Sequence, residues 1–209
     1  PAATPYVLLM FTAGAWAILY ALDLLAPTLA LKLLYHDLRF LFLPFFPALE
    51  LWLVVVYVRP PEWLDRKRAA AILAIPVLAV ILALTSPYHQ LFRYNFSMNT
   101  AGPIPFLQYS ESAFFTFYSL YSFALLVIAL GILVAMTWRT GTLREMRTIL
   151  LLLALSVPTV LNYLFQAGIT VVTGVNPAPV LLWVTAIMYT VALFRYQFLD
   201  MVPVARNRL

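Results

Sequence analysis

Between Pro179 and Leu193 the chain carries no ionisable side chain except Tyr189. Arg195, Asp200, Arg206 and Arg208 then follow in quick succession, with Pro203 among them. The apolar part of this run, Pro177 to Leu199, is about 20 residues long, enough to cross a hydrocarbon core of ~30 Å at ~1.5 Å per residue. A segment of that length with so little charge reads as a membrane helix that ends in a basic exit on one side.

Five further stretches have the same character. They run from about Pro5 to Leu25, Leu31 to Val58, Arg68 to Leu84, Phe106 to Trp138 and Leu143 to Val172, with the exit helix (177–199) as the sixth. Pro44 and Pro47 inside the second, and Pro76 inside the third, predict kinks or tilts, because a proline removes a helix N–H. With 64% of residues hydrophobic and 10% charged, a water-facing surface cannot be covered. The fold class expected is therefore all-α: a polytopic transmembrane bundle of six helices, forming one domain over residues 1–209. The polar stretch Thr85 to Pro105 (85–105) is expected as a loop that folds back on the bundle as a lid, since Tyr88, Phe92, Tyr94 and Phe96 are too apolar for a free linker.

Basic residues set topology by staying on the cytoplasmic side. If the C-terminal exit (200–209) is inside, Arg59, Arg66, Lys67, Arg68, Arg139, Arg144, Arg147, Arg195, Arg206 and Arg208 all share that side, and only Lys32, Arg39 and Arg93 lie opposite. The net charge of +5 is thus a topology signal, and no nucleic-acid partner is implied. The expected location is the cell membrane, multi-pass, with a cytoplasmic C-terminus.

Polar groups at membrane depth are costly and tend to be paired or functional. Arg39, Phe46, Glu50 and Tyr57 fall on one stripe of a continuous second helix, with about 16 Å between Arg39 and Glu50 along the axis. Glu111, Tyr118 and Ser122 form a stripe on the fourth helix, and Asn162 with Gln166 a polar face on the fifth. Arg39, Glu50, Glu111, Tyr118, Asn162 and Gln166 are the candidate ligand-binding residues, all expected to face the interior. Arg39 with Glu111 is the expected ion pair, and Asp23 sits at the outer end of the first helix. The bland alternative is interhelical hydrogen bonding, worth about 0.6 kcal/mol per bond in membranes.

Catalytic patterns are thin. There is no cysteine, and the two histidines are His36 and His89; neither belongs to an HExxH pair, and GxSxG and phosphate-loop patterns are lacking. No catalytic residue, metal site or cofactor is assigned. The fifteen Phe and twelve Tyr include Phe114, Phe115, Phe117, Tyr118, Tyr121 and Phe123 on the fourth helix. These read first as packing, but with the polar groups of the outer half they can line a pocket for a flat or lipidic molecule.

The run Phe194-Arg195-Tyr196-Gln197-Phe198-Leu199-Asp200-Met201-Val202-Pro203-Val204-Ala205-Arg206 resembles the end of a sensor family, the histidine-kinase N-terminal seven-transmembrane region. That region precedes kinase, PAS or diguanylate cyclase modules in prokaryotes. Leu84-Thr85-Ser86-Pro87-Tyr88-His89 is similar to a loop of the same family, as is the helix carrying Pro44 followed by Val56-Tyr57. The resemblance implies seven helices, one more than the six read here, so the family's first is expected upstream of Pro1. It also implies signal transduction in a two-component system: a receptor that binds a small or lipidic ligand and signals to a cytoplasmic output domain, with a homodimer and the lipid bilayer as further partners.

Arg195, Asp200 and Pro203 are the expected signal exit. Asp200 caps a new helix from Met201, and Pro203 occupies its first turn. A transporter or channel using the buried charges is the alternative; no inverted repeat supports it.

Overall fold

In the computed structural model, residues 3–58, 65–101, 104–141, 145–169 and 174–195 are described. The elements are α1 (Ala3–Leu25), α2 (Leu29–Arg39), α3 (Phe46–Val58), α4 (Arg66–Leu84), a hairpin of β1 (Arg93–Asn99) and β2 (Phe106–Glu111), α5 (Ala113–Thr140), α6 (Met146–Gln166) and α7 (Pro177–Arg195). Five helical segments are long and apolar enough to cross a membrane: 3–25, 29–58, 67–84, 113–140 and 148–166. A shorter apolar helix, Pro177–Ala192, accompanies them. The fold is the expected all-α polytopic bundle, with one small two-stranded sheet at its edge.

Helix starts follow local chemistry. Thr28 Oγ1 accepts from Leu31 N, Asp65 Oδ1 from Arg68 N and Ser112 Oγ from Phe115 N, each satisfying an N–H that the first turn leaves unpaired. Gly141, at φ +71°, ends α5 in the left-handed conformation that glycine adopts without strain. Pro76 and Pro158 lie inside α4 and α6.

The second span departs from the continuous helix expected over 31–58. α2 stops at Arg39, a single 3₁₀ turn (Leu43–Phe45) carries Pro44, and α3 restarts at Phe46. A proline in the first turn of a helix needs no N–H partner, so Pro44 and Pro47 mark a restart rather than a kink. The stripe drawn from Arg39 to Tyr57 is therefore broken. α2 is strongly amphipathic in an unusual sense. Its Lys32 and His36 are buried, while Leu31 and Leu34 are exposed.

The fourth span also starts later than Phe106. Residues 106–111 pair as a strand with β1 in the register Arg93↔Glu111, Met98↔Leu107 and Asn99↔Phe106. An irregularity between Tyr94 and Ser97 coincides with Asn95 at φ +55°, a conformation asparagine tolerates better than most residues. The polar stretch is thus an ordered hairpin that extends past Pro105, and Glu111 closes a strand instead of opening a helix. The fifth span, read as 143–172, is Met146–Gln166, with Gly168 at φ +80° just beyond it. α7 runs to Arg195; Asp200 and Pro203, with the hinge expected there, lie outside the described residues.

The core is one large cluster of α1, α3, α5, α6 and α7 side chains, including Trp16, Leu53, Leu133, Leu155 and Tyr189. A smaller cluster under the hairpin joins Phe40, Ala79, Ala83, Phe92, Phe115 and Tyr118. Tyr121 donates to Ile72 O at 2.6 Å and Tyr163 to Ser119 O at 2.7 Å, linking α5 to α4 and α6.

Candidate functional site

A cavity of about 310 Å³ opens between the hairpin and the adjoining ends of the helices. Its wall draws on α1, α2, α3, β2, α5 and α6, and on the residues leading into α7. Arg39, Glu111, Tyr118, Asn162 and Gln166 all line it; Glu50 does not.

The charged part of the wall is a network centred on α2. Arg39 Nη2 donates to His36 Nδ1 at 2.6 Å, which makes the imidazole an acceptor there. Asp23 of α1 lies 3.5 Å from the same ring nitrogen and 3.6 Å from Arg39 Nη1. Lys32, fully buried, donates to the carbonyls of Asp23 at 2.6 Å and Leu24 at 3.5 Å. These carbonyls belong to the last turn of α1, where a cation is favoured; the Asp23 carbonyl also accepts from Ala26 N at 3.3 Å. The expected Arg39–Glu111 pair is not formed. Arg39 sits against Asp23, and Glu111 is exposed at the end of β2 because a strand, not a helix, carries it.

Behind this wall, Arg93 of β1 is completely buried and bonds Asp37 of α2 at 2.7 Å. Its guanidinium stands 4.3 Å from the Phe40 ring centroid and within 6 Å of Phe92, Phe96 and Tyr109. Nε and Nη1 have no hydrogen-bond partner among the described residues, and ring faces take the place of acceptors on that side. This bond fastens the hairpin to α2. Tyr109, next along the same wall, meets His36 edge-on at 5.1 Å. Burial pushes its phenol above the ordinary value against the pull of Arg39 and Arg93, so it stays a hydroxyl donor.

The amide part of the wall lies where α6 hands over to α7. Asn176 Nδ2 donates to Asn162 Oδ1 at 2.7 Å, its own Oδ1 accepts from Ala178 N at 2.9 Å, and its backbone N–H donates to the Tyr20 hydroxyl. Gln166 is exposed at the rim, and Tyr118 is buried. Gly174, at φ +76°, lets the Phe106 ring pack where any Cβ would collide. The α6–α7 junction is thereby in contact with both the hairpin and α1.

Glu50 is elsewhere. It is fully buried on α3, and neither carboxylate oxygen has a hydrogen-bond partner among the described residues. The Tyr189 hydroxyl of α7 likewise has no hydrogen-bond partner among the described residues.

Lys32, Tyr109 and Asn176 are not among the site residues expected from the sequence, His36 is expected only as a poor catalytic candidate, and no expectation joins Asp37 to Arg93. Buried positions for charged residues on a short amphipathic segment were the available signal. Among the described residues, no group of three His, Cys, Asp or Glu side chains is placed to hold a metal ion.

No curated protein and no solved structure matches the chain. The family described as the N-terminal 7TM region of histidine kinase matches residues 1–203, nearly the whole length. With its membrane-spanning helical bundle, the chain belongs to that family, a membrane-embedded sensory region of histidine kinases.

Proposed function

We propose that this chain binds a small or lipidic molecule in the hairpin-end cavity and passes the response through α7 to a cytoplasmic output domain. The carrying observation is the cavity's wall. One occupant would touch α1, α2, β2, α5, α6 and Asn176, which bonds the first turn of α7. An occupant that pulls Asn162 or Asn176 therefore acts on the start of the exit helix, and a ligand that prefers one placement of α7 shifts its population. This reading assigns no reaction to the chain itself.

The charge asymmetry supports a cytoplasmic C-terminus. Lys32 and Arg93, two of the three cations expected on the opposite side, are buried in bonds and Arg39 lies against Asp23, so they do not act as free loop charges in the topology bias. The exit itself is assigned to Arg195, Asp200 and Pro203, where Asp200→Ala is expected to cost about 1 kcal/mol of capping and to shift basal output.

The test is to fill the cavity with Ser119→Phe, a wall position on α5. The natural chain is expected to carry a co-purifying molecule in native mass spectrometry, which the variant loses, and full-length output should change with it. Unchanged output together with no co-purifying molecule in either protein would overturn the reading.

A further inference from the structure

The chemistry of the wall narrows what the cavity accepts, provided that it is a binding site as proposed above. Its apolar surface is aromatic far more than aliphatic. Trp16, Phe46, Phe106 and Phe115 belong to it, whereas its aliphatic side chains are Leu24, Leu43, Leu107 and two prolines. Valine, isoleucine and methionine are absent from the wall among the described residues, although the chain is rich in the first two elsewhere. Acyl-chain sites need flexible aliphatic surface; ring faces and edges favour another ring at stacking or edge distance. Two aromatic pairs contribute from different elements, Trp16 with Phe46 at 5.8 Å and Tyr109 with Phe115 at 6.5 Å.

Charge argues against an acid or an amine. The wall holds Asp23 and Glu111 against Lys32 and Arg39, so the formal charges cancel. Lys32 is already committed to two carbonyls, and Arg39 lies against His36 and Asp23. An acid would give up hydration for cations already held by protein groups, and an amine would find Glu111 only at the exposed end of β2, where water screens the charge, so neither recovers its desolvation cost. Neutral donors are better supplied. Asn162 uses its carbonyl on Asn176, leaving its NH₂ for an acceptor, and the Tyr109 hydroxyl and the Gln166 amide stand in the same wall. A volume near 310 Å³ is at the small end of ligand pockets, about 300–1,000 Å³.

We propose that the ligand is a flat, uncharged conjugated ring bearing carbonyl acceptors, of the size of a one- or two-ring cyclic dicarbonyl, held between aromatic side chains and bonded by Asn162. Its carbonyls take donors from the amide side, which places the ring beside the α6–α7 junction.

The probes are 2-methyl-1,4-naphthoquinone and dodecanoate, each added to the protein in lipid nanodiscs. Thermal unfolding is followed for the natural chain, Ser119→Phe and Asn162→Leu. Alkylation of thiols by the quinone does not complicate the reading, since the chain has no cysteine. The naphthoquinone is expected to raise the midpoint of the natural chain, to do so less in Asn162→Leu, and to have no effect in Ser119→Phe; dodecanoate should leave all three unchanged. A cavity-dependent shift with dodecanoate and none with the quinone overturns the ring assignment while leaving the binding site standing. No cavity-dependent shift with either probe overturns the ring assignment; if native mass spectrometry also finds nothing bound, the site itself falls. A quinone shift that is equal in all three proteins is membrane partitioning and overturns the assignment as well.

Discussion

At the hairpin end, buried charges meet partners from other elements: Arg93 of β1 with Asp37 of α2, Lys32 of α2 with the last carbonyls of α1, and Arg39 with His36 and Asp23. Away from the cavity, on α3, α6 and α7, the buried polar groups Glu50, Thr148 and Tyr189 have no hydrogen-bond partner among the described residues. Both sets lie in a chain whose membrane surroundings penalise unpaired polar groups. Burial alone therefore does not identify a structural polar group. The first set ties α1, α2 and the hairpin into one unit around the cavity. Nothing in the folding of the described residues accounts for Glu50. Among the described residues nothing offsets the cost of burying it, so we propose it as a group retained for signalling.

The comparison is most easily broken at Arg93. Arg93→Ala leaves Asp37 without its partner and empties a space ringed by Phe40, Phe92, Phe96 and Tyr109. A loss of about 3–5 kcal/mol is expected, read by thermal unfolding in detergent, with faster proteolytic cleavage within residues 93–111. Arg93→Lys should recover only part of it, because an ammonium cannot present a planar face to four rings. A loss below about 1 kcal/mol would show that the bond to α2 does not hold the hairpin.

Gly174→Ala tests whether the α6–α7 junction is equally built. The added methyl meets the Phe106 ring and the backbone stays at positive φ, so a cost of about 1–3 kcal/mol is expected from overpacking. A variant as stable as the natural chain, measured by the same unfolding midpoint, would mean that the junction and β2 are not in firm contact.

Glu50→Leu should move the other way. Removing a buried carboxyl that bonds nothing is expected to stabilise the bundle by about 1–3 kcal/mol, while output of the full-length protein changes. If the variant is destabilised instead, the carboxyl has a structural partner such as an internal water, and the contrast between the two regions weakens.

The smallest effect is expected at Asp23. Its contacts at 3.5 and 3.6 Å are long for charge-assisted bonds, so Asp23→Asn should cost about 0.6 kcal/mol, the average for a polar contact in a membrane bundle. A loss several times larger would place Asp23, rather than Arg93, at the centre of the network.

The spans and the membrane class were legible because length and hydropathy are local properties: twenty apolar residues have no other way to satisfy their backbone. Interior placement could also be read for Tyr118 and Glu50, since an exposed polar group is costly in lipid. Glu111 was misplaced because Phe106–Glu111 contains no glycine or proline to stop a helix drawn back to Pro105. Only Ser112, a good N-cap, marks the boundary. Arg39 was read on a continuous stripe because Pro44 fits equally a kink or a restart.

Local sequence was enough to anticipate the membrane class, the approximate helical segments and, as a kink or tilt, the helix interruption at Pro44. Each of these depends on residues within a few turns of one another. The docked bundle alone shows that Arg93 bonds Asp37, 56 residues away, that Asn176 reaches Asn162 and Tyr20, that Phe106 packs on Gly174, and that Glu50 has no partner among the described residues. Such pairings depend on how helices and strands dock, and docking is set by packing across the whole bundle, which no local pattern encodes.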